Sequence, residues 1–137
     1  MKITLIDTAF AVSLVNESDE NHEKALKLSL EYERQPVLIT DCVLLEIGNS
    51  LSRNHKKEGS FIIEKFLTTD ETEIVRLNET LFNKAFELYR DYADKTWGLV
   101  DCVSFVVMRE RGITDALTSD QHFVQAGFNA LMLDSIH

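Results

Sequence analysis

Short strand-like runs alternating with longer amphipathic stretches predict an α/β domain, a parallel sheet covered by helices on both faces. Two further observations support that class. The segments between the runs carry apolar residues at helical spacing. The 137 residues contain one proline and five scattered glycines, so no linker composition divides them and one domain over 1–137 is expected.

The elements follow in order. Ile3 to Ile6 is a compact apolar strand ending at Asp7, and a short helix through Phe10, Val12, Leu14 and Val15 comes next. Ser18-Asp19-Glu20 reads as the cap of a second helix reaching about Arg34, where Gln35-Pro36 stops it. Val37 to Ile39 is the second strand. Thr40-Asp41 opens a helix with Val43, Leu44, Ile47 and Leu51 on one face, and Gly59-Ser60 is expected to break the chain before a further helix, Phe61 to Leu67. Glu73 to Leu77 reads as strand three, followed by Asn78 capping a helix with the stripe Leu81, Phe82, Ala85, Phe86, Leu88 and Tyr89. Gly98 to Glu110 is apolar nearly all round, which implies a buried helix, and Arg111-Gly112 closes it. Ile113 to Leu117 is strand four, Gln121 to Ala126 a short helix ending at Gly127, and Ala130 to Leu133 strand five.

Composition excludes several function classes. Hydrophobic residues at 45% and charged residues at 27% fit neither disorder nor a small disulfide scaffold. Cys42 and Cys102 lie far apart without zinc-ligand spacing, so both read as small buried apolar groups in a reducing cytoplasm. An acid at Asp7 interrupts the N-terminus before a signal-peptide core can form, and the apolar run Leu99 to Met108 is too short for a bilayer, so no membrane partner is expected. The net charge of −9 argues against nucleic-acid binding through a bulk positive field.

Chemistry concentrates in four acids. In open α/β sheets, ligands bind beyond the carboxyl ends of the strands, where Asp7 and Asp120 fall, after strands one and four. Each also suits a helix N-cap, and Thr118 with Gln121 resembles a capping box. Asp101 shares a helix face with Phe105 and Met108, so it either meets a partner on the apolar side or is a first-turn acid favoured by the helix dipole. Glu46 lies at the margin of the Val43, Ile47, Leu51 stripe, where a glutamate either reaches a cleft or stays solvated. Converging carboxylates repel and raise one another's pKa unless a hard divalent cation, Mg²⁺ or Mn²⁺, neutralises them. Such an ion activates water and polarises phosphoryl oxygen, as phosphodiester hydrolysis requires.

Asp7-Thr8, Glu46 within Leu44-Leu45-Glu46-Ile47, Asp101 within Gly98-Leu99-Val100-Asp101-Cys102-Val103, and Leu117-Thr118-Ser119-Asp120-Gln121-His122-Phe123 stand in order at characteristic separations. Together they resemble the PIN-domain ribonucleases, especially the small single-domain VapC-type toxins. The likeness covers essentially the whole chain, including His22 with Ala25 and the closing Gln125-Ala126-Gly127-Phe128. It implies a PIN-like three-layer sandwich around a five-stranded parallel sheet of order 3-2-1-4-5. It also implies a metal-dependent endoribonuclease, the toxin of a type II toxin-antitoxin pair. By the same resemblance Asp7, Glu46, Asp101 and Asp120 hold one or two Mg²⁺ or Mn²⁺ ions, Thr8 and Thr118 are supporting hydroxyls, and the partners are RNA, a second copy in a homodimer and an antitoxin. Two such ions would bring the four acids close to formal neutrality, so RNA binding would depend on the metal and on local cations.

Arg53-Asn54-His55-Lys56-Lys57 is the one concentrated basic stretch. Arg53, Lys56 and Lys57 suit either a phosphate-steering patch or a solvated helix C-terminus. Asp115 is expected on the surface at the start of strand four, His22 as a structural histidine, His122 as a packing or capping residue in preference to a substrate contact, and Trp97 as a core or interface anchor in preference to a base-stacking ring. The alternative function is a non-catalytic PIN-like module binding RNA or protein. A phosphoryl-signalling receiver is disfavoured because strand three ends in Leu77-Asn78 and no lysine follows Lys95; Asp7-Thr8-Ala9 lacks the second aspartate of the haloacid-dehalogenase pattern.

Overall fold

The computed structural model describes residues 2–133. In chain order these form β1 (Thr4–Ile6), α1 (Thr8–Val15), α2 (His22–Glu31), β2 (Val37–Thr40), α3 (Asp41–Leu51), α4 (Lys56–Thr68), β3 (Thr72–Val75), α5 (Glu79–Asp91), α6 (Leu99–Arg111), β4 (Asp115–Leu117), α7 (Gln121–Gln125) and β5 (Asn129–Ala130). All strand pairs are parallel and the order is β3-β2-β1-β4-β5, as the resemblance implied.

Side-chain alternation along the strands divides the interior into two cores. Leu5, Leu38 and Ala116 face one side, packed with Leu81, Ala85, Phe105 and Phe123 from α5, α6 and α7. Ile6, Val37, Ile39 and Leu117 face the other, packed with Phe10, Ala25, Val43, Ile47 and Ile62 from α1 to α4. The sheet is therefore buried on both faces, which is why β1 and β2 read as continuous apolar runs rather than alternating ones.

Capping chemistry sets several helix ends. The Thr40 hydroxyl accepts the Val43 N–H at 3.2 Å and the Asn78 side chain accepts the Leu81 N–H at 2.8 Å. Gly112 ends α6 at φ 66, a left-handed conformation suited to glycine, and the Ile113 N–H returns to the Met108 carbonyl at 2.8 Å.

Four expectations are corrected. The second helix begins at His22, not behind Ser18-Asp19-Glu20, and ends at Glu31, short of Arg34. Asp19 instead ties the α1–α2 turn, accepting from the Ser13 hydroxyl at 3.0 Å and the Asn21 N–H at 2.8 Å. On α5, Leu81 and Ala85 are buried, but Phe82, Phe86 and Tyr89 lie one residue further round the helix and are exposed. β5 is only Asn129–Ala130, because Leu131 to Leu133 leave the strand as a turn.

The fourth correction is Gly59, which lies inside α4 rather than before it. An added Cβ there would stand 3.1 Å from Leu51 Cβ, so the glycine permits close approach of α3 and α4. Gly59→Val is expected to destabilise the fold by about 1–3 kcal/mol through overpacking. Gly59→Ala should be near neutral, a helix-propensity gain of about 1 kcal/mol offsetting the tight contact. Urea unfolding measures both, and a valine variant as stable as the parent would refute the close approach.

Candidate active site

The order of strands reverses between β1 and β4, so the chain leaves these neighbours in opposite directions and opens a crevice at their carboxyl ends. Asp7 follows β1 and is buried, 5% exposed, with its N–H donating to the Leu117 carbonyl at 3.2 Å. The fully buried Thr118, just after β4, donates its hydroxyl to Asp7 Oδ2 at 2.7 Å. The same Thr118 oxygen accepts the Asp120 N–H at 3.1 Å, so one hydroxyl joins two acids that lie on separate chain segments.

Asp120 is the N-cap of α7, accepting the His122 N–H at 2.9 Å. Asp101 enters from the first turn of α6, where its Oδ2 accepts the Gly98 N–H at 3.1 Å. Both helix-end readings are thus correct, but they do not exhaust the two acids. The His122 ring lies against both, Nδ1 being 2.9 Å from Asp101 Oδ2 and 3.3 Å from Asp120 Oδ1. Glu46, half-buried in the middle of α3, accepts the Thr8 hydroxyl at 2.6 Å and is tied through Thr8 to the end of β1.

Charge follows from this placement. Burial pushes the Asp7 carboxyl up to about 7 from an ordinary 3.8; the Thr118 hydrogen bond opposes the rise, Asp101 and Asp120 add to it, and the Thr8 N–H lowers it. Among the described residues, the basic side chain beside these acids is the His122 ring. Hard carboxylate oxygens that repel one another in a partly buried crevice fit a small divalent cation. Asp101, Asp120 and His122 present ligand atoms within 4.8 Å of one another. Thr118→Val is expected to cost about 1–3 kcal/mol by removing a donor from a buried carboxylate. It should also raise the Asp7 pKa further, readable by carboxyl NMR titration; an unmoved pKa would show that the hydroxyl is not engaged.

His122 is the site residue whose place the sequence understated. Its signal was its position two residues after Asp120, in the first turn of a helix that Asp120 caps. Asp115 lies at the opposite end of β4, held by Lys2 at 3.2 Å and Asn129 at 2.8 Å, away from the crevice as expected. His22 makes a ring hydrogen bond to the Ser13 carbonyl at 2.8 Å, a structural role. Trp97 is a core anchor, stacked on Tyr92 and donating to Gln125 Oε1 at 2.9 Å. Cys102 is buried and Cys42 half-buried, both free.

Arg53 follows α3, and Lys56 and Lys57 open α4; all three are exposed. Among the described residues, no hydrogen bond or ion pair brings any of them to the four acids. The lysines occupy a helix N-terminus, where the dipole disfavours cations, so the expected stabilisation of a helix C-terminus does not apply to them.

Residues 4–129 match the PIN-domain family. The 23S rRNA-specific endonuclease VapC20 of Mycobacterium tuberculosis, in strains H37Rv and CDC 1551, is 28% identical over 124 residues, covering 90% of this chain and 93% of the relative. The crystal structure of M. tuberculosis VapC20, described as a sarcin-ricin loop cleaving toxin, superposes with a TM-score of 0.81 at 25% identity, covering 93% of this chain and 96% of that one. VapBC2 from Rickettsia felis, solved with a fragment of its promoter DNA, shares the fold with a TM-score of 0.65 at 17% identity, covering 93% and 96%. With the switch-point crevice, its acids and a family match over nearly all the described residues, this chain belongs to the PIN-domain family.

Proposed function

We propose that this chain is a divalent-metal-dependent endoribonuclease, the toxin of a type II toxin-antitoxin pair, with residues 1–137 acting as one PIN domain. The observation that carries the reading is Asp7, a buried carboxylate at the β1–β4 switch point with the charges of Asp101 and Asp120 beside it. A structural role does not account for burying an acid among acids, whereas binding a cation does.

In this reading Asp7, Glu46, Asp101 and Asp120 hold Mg²⁺ or Mn²⁺. The cation, when bound, neutralises the carboxylates and polarises a phosphoryl oxygen of the substrate. Thr118 orients Asp7, and Thr8 orients Glu46, each by donating a hydroxyl hydrogen bond to the carboxylate. Arg53, Lys56 and Lys57 draw RNA phosphates towards an otherwise acidic molecule. Water adds to phosphorus and the bond to the 3′ oxygen breaks, giving a 5′-phosphate and a 3′-hydroxyl.

The substrate class and toxin role are supported by VapC20, named as a 23S rRNA endonuclease and toxin. A toxin implies an antitoxin, and a second copy of the chain completes the proposed set of partners. A cytoplasmic setting accords with cellular RNA as substrate, and no helix among the described residues is long and apolar enough to cross a membrane. The test is expression with and without the neighbouring reading frame, followed by sequencing of cleaved RNA ends. Growth arrest relieved by the neighbour, with metal-dependent 5′-phosphate ends, is the expected result. No cleavage with either ion would favour the binding-module alternative, and metal-independent 5′-hydroxyl ends would refute the mechanism.

A further inference from the structure

The metal reading leaves His122 without a role, although its ring is the group that touches both Asp101 and Asp120. Its other nitrogen is also engaged, with Nε2 3.1 Å from the Thr96 hydroxyl in the loop before α6. We propose that His122 is itself a ligand of the bound cation through Nδ1, that Thr96 fixes the ring for that task, and that together they bias the site towards Mn²⁺ over Mg²⁺. The proposal rests on the metal-dependent reading above.

Three features support it. First, donors about 2.1–2.2 Å from an octahedral ion lie about 3 Å apart in neighbouring positions. Nδ1 stands 2.9 Å and 3.3 Å from the two carboxylate oxygens, so the three donors already have separations that one ion can span. Secondly, a metal-bound histidine generally needs its remaining ring N–H held by an oxygen, which sets the tautomer and the ring plane. Thr96 meets that need from outside the acid cluster. If the ring proton sits on Nδ1, Nε2 accepts from the Thr96 hydroxyl. If it sits on Nε2, leaving the Nδ1 lone pair for a cation, the N–H would be donated to the same Thr96 oxygen. A hydroxyl serves both states because it donates and accepts.

Thirdly, the donor type predicts selectivity. Mg²⁺ is hard, retains water and prefers oxygen, whereas first-row transition ions accept imidazole nitrogen readily. Four carboxylates alone would discriminate weakly between Mg²⁺ and Mn²⁺, so replacing one oxygen or water by imidazole shifts the balance.

The experiment uses the full chain loaded with Mn²⁺ and examined by pulsed electron paramagnetic resonance, alongside direct binding measurements for Mn²⁺ and Mg²⁺. The expected result is imidazole-nitrogen modulation of the Mn²⁺ signal that disappears in His122→Ala. In Thr96→Val the Mn²⁺ affinity should fall about 10-fold, the lower end of outer-partner losses. His122→Ala should lose at least as much, and both should lose less affinity for Mg²⁺. His122 is partly exposed at the start of a five-residue helix, and circular dichroism checks that each variant folds. Mn²⁺ bound without nitrogen modulation, or modulation that survives in His122→Ala, overturns the proposal while leaving a carboxylate metal site intact. Failure of the parent chain to bind Mn²⁺ overturns both this proposal and the metal reading.

Discussion

Asp7→Asn is expected to lower metal-dependent RNA cleavage on the order of 100-fold or more, since even losing an outer partner costs a metal site about 10–100-fold. The same change should not unfold the protein, and at neutral pH without metal it should stabilise it. The folded-state pKa of Asp7, about 7, lies above its ordinary 3.8. Between those values the folded chain keeps a proton that the unfolded chain releases. The contribution of Asp7 is therefore greatest below about pH 4, declines as pH rises towards about 7, and is level above that. The decline amounts to at most about 4 kcal/mol.

Urea unfolding in chelator at about pH 5 and pH 8 measures it. The parent should lose stability across that interval and Asp7→Asn should lose less. Adding Mg²⁺ at the higher pH should restore much of the loss to the parent, because a cation that binds only the folded state stabilises it by mass action. Equal pH slopes in the two proteins would show that Asp7 is not the buried, charge-frustrated group described above. Cleavage retained by purified Asp7→Asn would remove it from the site.

Phe105→Ala is expected to destabilise the chain by about 3–5 kcal/mol, the usual range for truncating a buried phenylalanine. For a domain of this size that lowers the melting temperature on the order of 10–20 °C. Phe105 is fully buried, edge-on to Trp97 at 5.1 Å and to Phe123 at 4.9 Å, with Phe128 at 5.7 Å. It lies one turn beyond Asp101 on α6, and Phe123 is the neighbour of His122 on α7. The ring therefore keeps the two helices that carry Asp101, Asp120 and His122 in register. Phe105→Leu should restore part of the stability, and Mn²⁺ affinity at a temperature where each variant is folded should fall in the same order. A loss under about 1 kcal/mol in Phe105→Ala would mean that the site collapses around the cavity and that the ring does not set the register.

Much of the fold was legible because its causes are local. A strand buried on both faces must be apolar at successive positions, so Ile3 to Ile6 and Val37 to Ile39 announced β1 and β2 to within a residue. Thr40, Asn78 and Gly112 marked helix ends because capping and left-handed closure involve atoms only a few residues apart. Gly59 was misread for a complementary reason. Local propensity treats a glycine as a break, but its value in α4 comes from Leu51 on another helix. The α5 stripe was overdrawn because helical spacing does not say how wide a face its neighbours cover, and the aromatic margin at Phe82, Phe86 and Tyr89 remained outside.

The four acids were legible as candidates, each with a plausible role in capping or solvation, and the family likeness supplied the reason to group them. By itself the sequence determined the order of strands and helices along the chain, the apolar sides of most of them, and the presence of carboxylates after two strands, in the first turn of one helix and within another. Only the tertiary structure decided that Asp7 meets Thr118 across 111 positions of chain, that Asp101 and Asp120 share one imidazole, and that Asp7 is buried deeply enough to hold a proton near neutrality. Helix and strand patterns arise from contacts a few residues apart. Desolvation and charge repulsion depend on whatever is adjacent in space, and that adjacency was set when β4 paired beside β1.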